Sequence, residues 1–184
     1  KIRSIICSKL IDSCIVRNKD GNYQFSTTSQ RIRNLEDVPS PYLTGLMDKF
    51  FDGQLDPLIQ TSRGCPFKCT FCVDGSHLVN KVNRYSLERI KKELEYIAQH
   101  VPDKITALCI SDLNFGMHKG DLEICDAIIE IQKRYNYPHI VGAATGKNSK
   151  ERIIETIKRL RGSLVLTISV QSMDKQVLKN IKRD

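Results

Sequence analysis

Residues 61–72 read Thr61-Ser62-Arg63-Gly64-Cys65-Pro66-Phe67-Lys68-Cys69-Thr70-Phe71-Cys72, and everything around this stretch is read from it. Three thiols at x3 and x2 spacing can converge on one inorganic cluster from a single loop, with Gly64 and Pro66 supplying the bend. A [4Fe–4S] cluster held fully by protein uses four cysteines, so three local ones leave one iron open to an exogenous ligand. An open position on a metal belongs to catalytic sites, whereas a closed site holds structure. The spacing also admits a closed site: Cys65, Cys69, Cys72 and His77 together form a Cys3His zinc set.

Outward from the loop, the pattern alternates between apolar strands and amphipathic helices. Leu55–Thr61 reads as a strand leading into the cysteines. Ser86 caps a helix to about Gln99 with Leu87, Ile90, Leu94 and Ile97 as its apolar stripe. Ile105–Ser111 is a nearly continuous apolar run, as expected of a strand buried on both faces. A helix over Asp121–Arg134, a strand over Ile140–Ala144 and a helix over Ser149–Arg161 follow, the last with Ile153, Ile154, Ile157 and Leu160 facing inward. Leu164–Val170 is a fourth strand, and Lys175 starts a fourth helix. Such alternation predicts α/β architecture, a partial parallel (β/α) barrel of about four units.

Upstream of the loop the sequence reads differently. Cys14–Asn18 and Asn22–Ser26 flank Lys19-Asp20-Gly21, a hairpin signal. Thr27 to Ser40 is polar and runs into Pro39-Ser40-Pro41, a linker composition. Tyr42 to Asp52 has helical apolar spacing, closed by Gly53. The expected division is therefore 1–53 as an N-terminal extension, the tail of an upstream module, and 54–184 as a core incomplete at its C-terminus. A complete eight-fold barrel needs about 250 residues. The chain has 184 and starts at Lys1, so it is expected to be a piece of a longer protein.

Composition narrows the function classes. With 40% hydrophobic and 27% charged residues the chain is an ordinary globular protein, and no apolar run approaches a membrane span. The net charge of +8 invites a nucleic-acid partner, yet residues 147–184 hold ten basic against four acidic side chains, mostly on helices whose outer faces are solvated. There is no tryptophan, and no basic strand interleaved with aromatics. Neither membrane nor nucleic acid is an expected partner. Seven cysteines without a disulfide-framework spacing point to a metal site in a reducing, cytoplasmic setting. Cys109 and Cys125 read as core thiols, Cys7 and Cys14 as free cysteines of the extension. His100 suits a helix C-terminus, while His118 and Lys147 read as loop and surface residues near the site.

Cys-x3-Cys-x2-Cys with the aromatic Phe71 before the third cysteine, directly after a first strand, resembles the radical SAM superfamily. The resemblance extends to Pro39–Leu46 with Phe50-Phe51-Asp52-Gly53, to Asp112-Leu113-Asn114-Phe115-Gly116-Met117, and to Ser169-Val170-Gln171-Ser172 followed by Val177–Arg183. These segments are most similar to the radical SAM proteins that carry a cobalamin-binding domain. The likeness implies that Cys65, Cys69 and Cys72 hold a [4Fe–4S] cluster beside Phe71, whose fourth iron takes S-adenosylmethionine. One electron then cleaves the sulfonium to methionine and a 5′-deoxyadenosyl radical, for methylation or another radical transformation of an unknown small molecule.

It further implies an electron donor such as a flavodoxin or ferredoxin, and cobalamin bound outside this chain, since no Asp-x-His-x-x-Gly is present. The Gly-Gly-Glu motif that many members place at the second strand is missing here. Asp112 and Asn114 stand in its place, Asp112 either meeting a cationic amino group or capping the turn, and Asn114 hydrogen-bonding cofactor or substrate. Ser169 and Gln171, alternating along the fourth strand, are expected near the ribose or carboxylate of the cofactor. A methylthiotransferase-like tRNA modifier is the runner-up within the class, and a zinc-stabilised nucleic-acid module is the alternative outside it.

Overall fold

The computed structural model describes residues 14–26, 32, 34–76, 80–146 and 148–183. Cys7, His77 and Lys147 lie outside them, as does most of 27–33. By contacts the chain divides into two units, Lys1–Arg33 and Asn34–Asp184. The expected boundary before Gln54 thus falls inside the second unit.

In the first unit β1 (Ile15–Arg17) pairs antiparallel with β2 (Tyr23–Phe25), with Ile15 opposite Phe25. Asn18 organises the turn, its side-chain oxygen accepting from the backbone N–H groups of Asp20 and Asn22 at 3.1 and 2.8 Å. This is the predicted hairpin, built as an Asx turn because a short amide can replace a backbone acceptor.

The second unit is built on a four-stranded, all-parallel sheet in the order β3 (Leu58–Ile59), β6 (Ala107–Ile110), β7 (Ile140–Thr145), β8 (Leu164–Ile168). Helices α1 (Leu87–His100), α2 (Asp121–Tyr135), α3 (Lys150–Arg159) and α4 (Lys175–Asn180) alternate with the strands. The core lies between one face of the sheet (Ile59, Leu108, Ile110, Val141) and the apolar stripes of the helices (Ile90, Leu94, Ile97, Ile124, Ile128). Ser86 caps α1 as predicted, its hydroxyl accepting from the Arg89 N–H.

Four local expectations change. The first strand is shorter than Leu55–Thr61. Pro57 has no N–H to give the ladder, and the N–H of Thr61 turns instead to a carboxylate of another loop. β6 is not buried on both faces: Leu108 and Ile110 are buried, whereas Ala107 and Cys109, on the opposite face, are half-buried. On α3, Ile153 and Leu160 face inward together with Thr156, but Ile154 and Ile157 are exposed on the flank. An inward stripe of a single helix spans three or four positions per two turns, and here Thr156 occupies the one assigned to Ile157.

Residues 42–52, expected as a helix, are turns with a single 3-10 turn at Asp48–Phe50. Gly45 at φ +72° breaks the helical path, and Tyr42 is drawn down to β3. The Tyr42 hydroxyl donates to the Leu58 carbonyl at 2.9 Å and accepts the Leu58 N–H at 3.0 Å, so a side chain closes the outer edge of the sheet. Burial raises the Tyr42 phenol above its usual pKa. Further upstream, Arg89 of α1 donates to the Val38 carbonyl at 2.6 Å and to Glu93 at 3.0 Å, while Glu36 accepts the Ser86 N–H at 2.7 Å. These bonds fasten residues 34–58 to the first helix and first strand.

Candidate cluster and cofactor site

β4 (Ser62–Arg63) and β5 (Asn83–Arg84) form a two-stranded antiparallel ribbon, Ser62 opposite Arg84 and Arg63 opposite Asn83. The cysteine loop leaves one strand of this ribbon and returns by the other. Its chain therefore projects from the C-terminal end of the sheet, where α/β folds build their sites.

Asp112, just past β6, fixes the root of that loop. It is 2% exposed, and both carboxylate oxygens are taken: Oδ1 accepts the Thr61 N–H at 2.7 Å, and Oδ2 accepts the Thr61 and Ser62 hydroxyls at 2.5 and 2.6 Å. With three donors satisfied inside the protein, Asp112 does not line the cavity described below. Its carboxylate bonds not to the turn it opens but to Thr61 and Ser62, fifty residues earlier in the chain.

One cavity of about 230 Å³ gathers Cys65, Cys69 and Cys72 with Phe71, Asn114, Ser169 and Gln171. Cys69 is buried and the other two thiols are half-buried. Ser169 and Gln171 stand beyond the end of β8, not on the strand as expected, and Gln171 has φ +61°. The structure thus brings together every sequence-derived site residue except Asp112. His118 is not among the lining residues.

Sequence reading missed Asp74, Thr167 and Arg183, which line the same space. Arg183 donates to the Ser169 carbonyl, and the Thr70 N–H donates to the Ile181 carbonyl at 3.0 Å. The turn after α4 is thereby pinned to the cysteine loop. Arg183 lies in the Val177–Arg183 segment of the resemblance, but its place in the site comes from the contacts of the turn after α4 with Ser169 and the cysteine loop.

Asn114 sits where the two loops meet. It is 8% exposed, and its Nδ2 donates to Cys65 Sγ at 3.4 Å. Gly146 lies against its other side: a Cβ there would stand 2.6 Å from Asn114 Oδ1, so any larger residue would make the carboxamide shift. The backbone on either side is held as well, since the Phe115 N–H donates to the Ala144 carbonyl at 2.9 Å and the Phe115 ring is fully buried. Asp121, 1% exposed at the start of α2, accepts the N–H groups of Gly116 and His118 and pairs with Arg84 at 2.6 Å.

Among the described residues, no three His, Cys, Asp or Glu side chains converge closely enough for a single metal ion. The three thiols line a single cavity of about 230 Å³. Soft thiolate donors around such a space suit an iron–sulfur cluster. Cys125 is separate, fully buried in α2, where burial pushes its thiol up to about 12. Cys109 is half-buried in β6, less enclosed than expected. No helix among the described residues is long and apolar enough to cross a membrane.

Comparisons with known proteins agree with this arrangement. The chain is 34% identical over 169 residues to the cobalamin-dependent radical SAM methyltransferase TokK of Streptomyces tokunonensis, covering 84% of this chain and 24% of that protein. It is 33% identical over 164 residues to the 2-(S-pantetheinyl)-carbapenam-3-carboxylate methyltransferase of Streptantibioticus cattleyicolor, with the same coverage. The chain thus spans about a quarter of the length of these relatives. In fold it matches the cobalamin-dependent S-adenosylmethionine radical enzyme OxsB, solved with aqua-cobalamin and S-adenosylmethionine bound. The TM-score is 0.65 at 20% identity, over 99% of this chain and 27% of that one. A family model described as the radical SAM superfamily matches residues 59–184, from the first core strand through the cysteine loop to the last residue. With three thiols set around one cavity at the end of a parallel sheet and that match over most of its length, the chain belongs to the radical SAM superfamily.

Proposed function

We propose that this chain is the cluster- and S-adenosylmethionine-binding core of a cobalamin-dependent radical SAM methyltransferase acting on a small molecule. The observation that carries the proposal is the gathering of Cys65, Cys69 and Cys72 with Asn114, Ser169 and Gln171 around one cavity. Cys65, Cys69 and Cys72 would ligate three irons of a [4Fe–4S] cluster and leave the fourth for the amino and carboxylate groups of S-adenosylmethionine. When bound, this pair supplies a one-electron reductive cleavage of the sulfonium, yielding methionine and a 5′-deoxyadenosyl radical.

The chain's own residues bind and orient. Ser169 and Gln171 offer hydroxyl and amide groups to the polar parts of the cofactor, and Arg183 stands beside them as the cation for a carboxylate. Phe71 and Leu113 supply apolar wall, which limits water around a reactive radical. Asp112 holds the loop's root and is not assigned a cofactor contact. The methyltransferase names of the curated relatives support the reaction class, and a cobalamin module would lie outside these residues. A flavodoxin or ferredoxin supplies the electron in the cytoplasm, where the free thiols stay reduced.

The test is anaerobic reconstitution with iron and sulfide. A brown protein with about four irons and a broad absorption near ~400 nm that changes on adding S-adenosylmethionine is the expected result. Cys69→Ala should abolish the cluster, while His77→Ala leaves it intact. A colourless protein that binds one zinc ion, lost in His77→Ala, would establish the closed Cys3His site instead and end the enzyme proposal.

A further inference from the structure

We propose that Asn114 tunes the reduction potential of the cluster through the hydrogen bond from its Nδ2 to Cys65 Sγ, and that Gly146 exists to hold the carboxamide in that pose. The inference rests on the cluster-binding function proposed above and adds to it a residue that sets how readily the cluster takes its electron.

Three observations carry it. Asn114 Nδ2 is 3.4 Å from Cys65 Sγ, across forty-nine residues of sequence. The Asn114 side chain is buried, so the donor itself is shielded from water. Its surroundings leave it little room: a Cβ at Gly146 would stand 2.6 Å from Oδ1, the Phe115 N–H is tied to the Ala144 carbonyl, and Asp112 fixes the loop two residues earlier. A polar side chain merely filling space would not need a glycine opposite its oxygen and a thiol opposite its nitrogen.

The physics gives the sign. One electron from a low-potential donor converts [4Fe–4S]2+ to [4Fe–4S]1+, and no bond to protein breaks. The added negative charge spreads onto the thiolate sulfurs, and an N–H aimed at sulfur stabilises the reduced form more than the oxidised one. Asn114 therefore raises the potential, and its loss makes reduction harder. Sulfur-directed hydrogen bonds are among the factors that set cluster potentials generally.

The experiment compares the reconstituted full chain with Asn114→Leu, Asn114→Asp and Gly146→Ala. Iron and sulfide content is measured first. The midpoint potential is then measured by following the reduced cluster's electron paramagnetic resonance signal during titration with dithionite, without S-adenosylmethionine. Asn114→Leu removes the donor at similar size and should disfavour reduction about tenfold, a fall of about 59 mV for one electron. Asn114→Asp places a carboxylate by the sulfur and should lower the potential further. Gly146→Ala keeps the asparagine but displaces it, and should move the potential in the same direction.

Unchanged potentials in variants that keep four irons would overturn the proposal. Loss of the cluster in all three would overturn it too, showing that Asn114 serves the loop's shape and not the potential. Failure of the unaltered protein to take up a [4Fe–4S] cluster is a separate result: it removes the proposed function itself, and this inference with it.

Discussion

Asp112 shows how a residue identified from position acquires its role from its neighbours. Its place after the second core strand suggested either a contact with a cationic amino group or a cap on the turn, and its two oxygens accept three short hydrogen bonds from Thr61 and Ser62. Asp112→Ala strands one buried N–H and two hydroxyls, which costs about 1–3 kcal/mol. The same change frees the loop root three residues before Cys65, so iron per chain after reconstitution should fall along with the melting temperature. Thermal melts and iron analysis check both. A variant that melts lower but loads iron normally would separate the carboxylate from the cysteine loop. Asn114 is the converse case: its side chain stayed in the site, and its contact with sulfur appears only once two loops meet.

At the scale of elements, the helices and strands were legible wherever a signal was local. Ser86 capping α1 and the apolar stripe through Ile90, Leu94 and Ile97 are decided within a turn or two of chain. The failures have non-local causes. Ile154 and Ile157 looked inward from spacing alone, but which face of α3 is inward depends on where the sheet lies. Residues 42–52 looked helical, and Tyr42 instead seals the free edge of β3. Tyr42→Phe removes both bonds to Leu58 while keeping the ring, and should destabilise the protein by about 1–2 kcal/mol. Chemical denaturation measures this, with the midpoint lowered and the slope unchanged. An unaffected midpoint would mean that water replaces the hydroxyl at the edge at no cost.

For the whole molecule, the location of the core's beginning matters most. Composition places it at Gln54, whereas contacts place it at Asn34. The difference is physical: Leu35 and Tyr42 are buried, and Arg89, Glu36 and Ser86 join the segment to α1. A chain starting at Asn34 should therefore be more stable than one starting at Gln54 by several kcal/mol, since two buried apolar side chains alone contribute about 1.5–3 kcal/mol each. Equal denaturation midpoints for the two would restore the boundary to Gln54. The charge of +8 also changes meaning at this scale. Arg159 pairs with Asp126 and Glu155, Arg134 with Glu95, and Lys92 with Glu88, so several of the basic side chains are already neutralised in surface ion pairs on helices.

Sequence by itself determined the cysteine spacing, the alternation of strands and helices, and hence the family, because each of these is encoded within a few neighbouring residues. Tertiary structure alone decided that Asp112 faces Thr61 and Ser62, that Gly146 backs Asn114 against Cys65, and that Arg183 reaches the cavity. Those contacts join residues 14 to more than 100 positions apart. They follow from the parallel register of β3, β6, β7 and β8, which brings the C-terminal ends of four separate strands to one place.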